Sequence, residues 1–371
     1  GGSNRGGGRG GNRGGGGKGG GRNQSWSGRG GGKGTPRGGQ ATTTLPKRLA
    51  VLEGHTDTVS CLAADLERSM LYSGSMDGTV RIWSWPEGRF AQCGQVDPAG
   101  PVESLLVCYP WLFAGLAAVV PAGAPQGTTL ATPAAIRAWQ MESGATQSLD
   151  GHMGSIYCLK QGGKFLFSGG DDMGPKLWQF TETWVPVVEL QKHAAPIQAM
   201  EVAAEQEVLI TADRSGMVNM YGYGDSNAAQ APLFAFNAAH ANLMAMTLLV
   251  DGEANFLITA ALDGHVKVWN AFTGEQQYDH VVTGRQNQPS GVTALQLVPE
   301  TTANGDGTVM VTACDDKALK LWAMPNFDRR GIIGAREGHA DVARCLAKGP
   351  GNSYFSGSMD NRVMVWEFAS G

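Results

Sequence analysis

Histidine, a serine or threonine, aspartate and tryptophan recur in this chain in one fixed order. His55, Ser73, Asp77 and Trp83 form the first set, and His152, Ser168, Asp172 and Trp178 the second. His240, Thr259, Asp263 and Trp269 form the third, and His339, Ser356, Asp360 and Trp366 the fourth. Imidazole, hydroxyl, carboxylate and indole N–H can be linked head to tail by hydrogen bonds, and a buried chain of that kind helps only when every member is satisfied. Partial sets lie between the complete ones. His193 and Thr211 are followed by Ser215 and Tyr221 in place of Asp and Trp; Thr312, Asp316 and Trp322 lack a preceding His; Trp139 stands alone. Five of the seven histidines thus receive a structural assignment. His280 falls outside any repeat position and reads as a surface residue. No nucleophile–base pair or metal-ligand spacing is visible, and the six cysteines are scattered without a CxxC pair. The expectation is a non-enzymatic protein with no catalytic residues, no metal and no cofactor.

The elements that carry these residues follow from the first unit, residues 51–85. Gly54-His55 breaks the chain, Val59–Ala63 and Met70–Ser75 alternate as strands, and Asp77-Gly78 is a hairpin turn. Thr79–Trp83 is the next strand, with Val80 and Ile82 on one face and Arg81 and Trp83 on the other. Seven such units end at Trp83, Trp139, Trp178, Tyr221, Trp269, Trp322 and Trp366. Cys61, Cys158 and Cys345 each lie six residues after a repeat His and read as small core residues sharing one position. Units of 40–45 residues built this way resemble WD40 repeats, which implies an all-β, seven-bladed WD40 β-propeller over residues 48–368. In such repeats the four polar residues form a relay from the loop before the first strand to the third strand. Arg48–Leu52 precede the first unit and are expected to add the outermost strand of blade seven, beside Val363–Trp366, because an open ring would expose sheet edges. Unit two carries an insertion, 117–134, rich in Ala, Pro, Gly and Thr, and expected as a disordered lid. Gln286–Gly291 and Thr301–Thr308 read as polar loops.

Charge divides the chain. Residues 1–48 hold ten Lys/Arg and no acid, which leaves 19 basic and 33 acidic residues elsewhere, a net −14. Residues 1–40 are mostly Gly with nothing to bury, and residues 1–47 are expected to be a disordered tail. Arg5, Arg9, Arg13, Arg29 and Arg37 each precede Gly-Gly, and with Arg22 they resemble RGG-type RNA-binding tails. Guanidinium groups neutralise phosphates and stack on exposed bases, so RNA is the expected contact. No apolar run approaches the ~18–20 residues of a membrane helix, which sets the expectation of a soluble intracellular protein, monomeric on its own.

Two longer stretches narrow the resemblance. Pro110–Leu116 (PWLFAGL) with Ile136-Arg137-Ala138-Trp139, and Leu319-Lys320-Leu321-Trp322 leading to Met324–Phe327 and Arg330-Gly331, are similar to blades two and six of the plant CCCH zinc-finger/WD40-repeat proteins. The resemblance covers roughly residues 49–368. That family carries CCCH fingers before the propeller, whereas here no Cys precedes Cys61 and no His precedes His55. A finger either lies upstream of Gly1 or is lacking in this member, and its nucleic-acid binding is not carried over. The family tips the expected location to the nucleus rather than the cytoplasm.

In propellers of this type the residue before the turn Asp, and those three and five after the loop His, crown the narrower face. The turns give Met76, Asp171, Arg214, Leu262, Asp315 and Met359, and the loops give Thr58, Ser60, Ser155, Tyr157, Leu243, Val342 and Arg344. Met76, Met359 and Val342 are expected to form one apolar patch bordered by Arg344. The leading function is a scaffold that docks protein partners on this face, with RNA contact through the tail. A ubiquitin-ligase substrate adaptor is the alternative, as is a purely structural role in a larger complex. Many such adaptors carry Trp-Asp-x-Arg after a third strand, but here the residues after the terminal aromatics are Ser84, Gln140, Gln179, Gly222, Asn270, Ala323 and Glu367.

Overall fold

The computed structural model describes Gly1 and residues 45–119, 133–224, 231–251, 254–284, 287–302 and 305–369. The expected tail and the central part of the unit-two insertion lie outside the described residues. Twenty-eight strands form seven four-stranded antiparallel sheets. First strands of successive sheets contact one another all the way round, and the first strand of sheet seven, Ala343–Lys348, meets that of sheet one, Val59–Asp65. The result is a closed, seven-bladed all-β propeller around a central channel.

Each apolar cluster lies between two blades rather than inside one. Leu52, Val59, Trp83, Phe355 and Val365 pack between blades seven and one; Cys61, Val80, Leu105 and Leu112 pack between blades one and two. Middle strands therefore bury both faces and read as continuous apolar runs: Phe165–Gly170 and Val208–Asp213 are buried at every position. Outer strands are exposed, as in Gln276–Val281. In blade three Pro186 sits in the outer strand, where a missing N–H blunts an edge.

Lys47–Leu52 pairs antiparallel with Val363–Glu367, with Leu52 opposite Val363 and Arg48 opposite Trp366. Blade seven is thus built from both ends of the propeller sequence. Thr301–Thr308, expected as a loop, is instead mostly ladder: Pro299 pairs with Thr308, and Thr302 with Gly305. Alternating Val298, Val309 and Val311 toward the core carries the hairpin further than its Thr/Gly tip signalled. Pro133 and Ala134, assigned to the insertion, open the third strand of blade two, Pro133–Gln140.

The strand pairing at the blade seven seam makes a direct prediction. Deleting residues 1–55 removes the closing strand and should sharply lower the denaturation midpoint, whereas deleting residues 1–40 should leave it unchanged. Equal midpoints for the two truncations would contradict a closing role.

Candidate functional site

The relay comes first, because it holds the loops that ring the channel. In blade one His55 Nδ1 lies 2.9 Å from Asp77 Oδ2, His55 Nε2 lies 2.8 Å from Ser73 Oγ, and Trp83 Nε1 donates to Ser73 Oγ at 2.9 Å. The wiring follows from what each group can do. Indole N–H only donates, so the serine oxygen accepts from Trp83 and gives its proton to a bare Nε2. The remaining Nδ1–H then donates to the carboxylate, and the imidazole is neutral. Blade three repeats this with His152, Ser168, Asp172 and Trp178 at 2.6–2.8 Å. Blade five does so with His240, Thr259, Asp263 and Trp269 at 2.8–3.2 Å, and blade seven with His339, Ser356, Asp360 and Trp366 at 2.8–3.0 Å.

Burial lowers the pKa of His55 and His240, with their aspartates opposing it. Burial works to raise the pKa of Asp77, yet hydrogen bonds from Thr79, the Thr56 N–H and His55 bring it down to about 2. The His55 and His240 relays are thus each a neutral histidine held against an ionised carboxylate.

Blade four departs from its expected wiring. Ser215 does not take the acid's place: His193 Nδ1 meets Asp213 Oδ2 at 3.0 Å, and Ser215 Oγ donates to Asp213 Oδ1 at 2.6 Å. The acid has moved two residues earlier, to the end of the second strand, where only its contacts reveal its role. Tyr221 Oη donates to Gln191 O at 2.9 Å. In blade six Trp322 donates to Thr312 Oγ1 at 3.1 Å, and the buried Lys320 replaces histidine by reaching Asp316 Oδ2 at 2.8 Å.

Every first strand carries a bulge at the same place. The ladder skips one residue between Val59 and Cys61, Val102 and Ser104, Ile156 and Cys158, and Ile197 and Ala199. It does so again between Leu243 and Ala245, Val292 and Ala294, and Ala343 and Cys345. An extra residue in one strand re-aims its side chain. The seven skipped residues, Ser60, Glu103, Tyr157, Gln198, Met244, Thr293 and Arg344, all line one channel cavity of about 390 Å³. Beneath them Leu62, Leu105, Leu159, Met200, Met246, Leu295 and Leu346 close it with apolar side chains.

The turn residues form an outer row. The backbone N–H of Met76, Asp171, Arg214, Leu262, Asp315 and Met359 donates to Thr58, Ser155, Pro196, Asn242, Gly291 and Val342 O, respectively, at 2.9–3.1 Å. Met359 and Leu262 are 45% and 42% exposed. Met76 and Val342 are half-buried and lie on adjoining blades with Met359; Arg344 and Asp315 are exposed. Around Tyr157 the two rows are knit together. Tyr157 Oη donates to Asp171 Oδ1 at 3.0 Å, Arg214 stacks 4.8 Å from the Tyr157 ring centre, and Arg214 Nε donates to Gln198 Oε1 at 2.9 Å. Ser155 N–H adds a bond to Asp171 Oδ2 at 3.2 Å.

Leu243 does not belong to this face. It is fully buried among Ala212, Val218 and Leu257, and the rim position is Asn242. The His240 loop is one residue shorter than the His55 loop, so counting from the histidine overshoots by one. Asn242 takes up the difference at φ 59°. Glu103, Gln198, Met244 and Thr293 were missed. Blades two and six have no loop histidine to count from, but the apolar residue just before each bulge (Val102, Ile197, Leu243, Val292) marks the same register. His280 is likewise not a surface residue. Its ring lies edge-on to Trp322 at 4.4 Å and stacks on Phe327 at 5.2 Å, and its Nε2 is buried without a hydrogen-bond partner.

Comparison with known proteins matches this architecture. The WD40 family (WD domain, G-beta repeat) matches residues 46–84, 144–179, 232–270 and 332–367. Those are the four blades whose relays are complete. Four of the seven propeller blades are thus WD40 repeats. It is 26% identical over 323 residues to zinc finger CCCH domain-containing protein 17 of Oryza sativa subsp. japonica, covering 86% of this chain and 66% of that one. It is 27% identical over 327 residues to zinc finger CCCH domain-containing protein 48 of Arabidopsis thaliana, covering 87% and 67%. The chain thus spans about two thirds of the length of these plant relatives. The WD40 β-propeller domain of Doa1 superposes with a TM-score of 0.68 at 20% identity, covering 88% of this chain and 98% of that domain. That likeness concerns the WD40 fold alone.

Histidine substitutions separate the two kinds of buried imidazole. His55→Ala leaves Ser73 and Asp77 each one partner short and should cost about 1–3 kcal/mol. His280→Ala should cost about 1 kcal/mol through lost ring contacts, while His280→Phe keeps the rings, removes the unpaired nitrogen and should be at least as stable as the parent. Urea denaturation midpoints check all three. A destabilised His280→Phe variant would mean that the nitrogen has a role the packing does not account for.

Proposed function

We propose that this WD40 propeller is a non-enzymatic scaffold that docks a protein partner on the narrow face, and that its basic N-terminal segment contacts RNA. The observation that carries the docking reading is the ring of seven bulged side chains opening between exposed turn residues, of which Met359 and Leu262 are the most exposed apolar ones. Exposed apolar groups beside polar ones mark binding surfaces, and methionine adapts to varied ligands. A ubiquitin-ligase adaptor remains the alternative reading; the absence of Trp-Asp-x-Arg after the third strands counts against it.

Met76→Glu combined with Met359→Glu should leave the melting transition within a degree or two of the parent, since Met359 is exposed and Met76 half-buried. It should also remove the main co-purifying protein. A folded double variant that keeps every co-purifying protein would move the docking surface elsewhere. Treating the same pull-down with RNase separates the two functions: partners held through RNA are released, whereas ligase subunits stay.

The RNA reading rests on ten cations and no acid in residues 1–48, against a net −14 in the remainder. Binding to single-stranded RNA should be weak and fall steeply with salt. Removing residues 1–40 should abolish it, because the acidic propeller repels phosphate. Undiminished affinity in the truncated protein would overturn the assignment.

A further inference from the structure

The channel mouth contains one acid without a donor. Glu103 is the bulged residue of blade two, half-buried, and among the described residues its carboxylate has no hydrogen bond or ion pair. Neighbouring groups are committed elsewhere. Arg214 is held by Gln198 and the Tyr157 ring, and Asp171 by Tyr157 and Ser155. Ser60, between Glu103 and Arg344 in the ring, gives its hydroxyl proton to the backbone at Val102 and Gly74. Arg344 is exposed and does not close to ion-pair distance. Across the channel, blade five offers Met244 and Met246.

We infer that the channel mouth receives a lysine or arginine side chain of the docked partner, its aliphatic stem along Met244 and its cationic head on Glu103. The inference rests on the docking reading above and names the partner chemistry at that site. Three features support it. A half-buried carboxylate without a protein donor relies on solvent alone, and a charge-assisted bond is the strongest partner available to it. Blade two presents Glu103 to the cavity and blade five presents Met244, which together match the build of a long cationic side chain. The propeller's net −14 favours approach by basic segments. Burial also pushes the Glu103 pKa up, with Arg344 and Arg214 opposing and Asp171 adding to it, so Arg344 is the resident cation with which a docked one would compete.

Blocked pentapeptides Gly-Gly-Xaa-Gly-Gly, with Xaa as Lys, Arg, Gln or Glu, provide the test. Each is titrated into the full chain at up to about 10 mM, the range in which a single side chain binds measurably, while the methionine methyl resonances of Met244 and Met246 are followed by NMR. The Lys and Arg peptides should bind about tenfold or more tighter than the Gln and Glu peptides, the worth of one charge-assisted bond. Glu103→Gln should erase that preference, and Arg344→Gln should strengthen it by removing a competing cation. Gln binding as well as Lys, a preference for Glu that vanishes in Arg344→Gln, or no methyl shift with any peptide would each overturn the inference. If Glu103→Gln melts early, Glu103→Asp and Arg344→Gln still decide it. The Met76/Met359 variant reads partner docking without reference to Glu103, so the two proposals fail separately.

Discussion

Around the channel each blade lies directly against the backbone of the next, and only small side chains fit at that contact. A Cβ added to Gly74 would sit 2.6 Å from Val102 Cγ1, and one added to Gly357 would sit 2.6 Å from Val59 Cγ1. Gly115 and Gly169 meet Ile156 and Ile197 of the following blades at 2.8 and 2.9 Å. The residue paired with each is also small: Cys61 with Gly74, Ser104 with Gly115, Cys158 with Gly169 and Cys345 with Gly357. In blades four, five and six both members are alanine. Interiors pack at crystal-like density, so one methylene at such a contact is felt. The cysteines belong to this steric rule. Burial raises the thiol pKa of Cys158 and Cys345 to about 12, which suits packing groups better than nucleophiles.

Once the inner strands are fixed at that spacing, the outer part of each blade still has to be tied to the loop before its first strand. The complete relays do this with four residues, and the incomplete blades show what is essential. Blade four keeps a carboxylate in reach of its histidine although the acid comes from a different position. Blade six drops the histidine and lets Lys320 hold the turn aspartate directly. Blade two keeps neither: Ala114 stands where the others have Ser or Thr, and a cleft of about 240 Å³ opens beside Arg137 and Trp139. What is retained across six blades is a carboxylate at or just before the turn with a buried imidazole or ammonium against it. Removing one partner from such a pair costs far more than the pair contributes net, so replacement proceeds by substitution of the donor rather than its loss.

The blade count, the ring closure and four complete relays were legible because they depend on local signals: a turn Asp, a terminal Trp, an alternating strand. Asp213 was not, since a residue's reach across a sheet is set by pairing and not by distance from its neighbours in sequence. Leu243 failed for a related reason. A shift of one residue exchanges core and surface in a strand, and a loop shortened by one supplied that shift. His280 read as surface because it lies outside every repeat position, yet the outer strand of blade five folds it against Trp322 and Phe327 of blade six. Contacts between blades are invisible to a motif that describes one blade at a time.

Seven repeats in one chain also act as an internal comparison, and it separates constraint from freedom over three consecutive residues. Just before the bulge stand Val59, Val102, Ile156, Ile197, Leu243, Val292 and Ala343, all apolar and buried. Just after it stand only Cys, Ser and Ala, fixed by the close approach of the next blade. Between them the bulged position holds Ser, Glu, Tyr, Gln, Met, Thr and Arg, seven different residues at seven equivalent places. A bulged residue is released from regular ladder pairing. Ser60 and Thr293 still donate to the backbone of the next blade, whereas among the described residues Glu103, Tyr157, Gln198, Met244 and Arg344 make no hydrogen bond to the next blade's backbone. The fold can therefore vary most of the ring while keeping its own inter-blade packing.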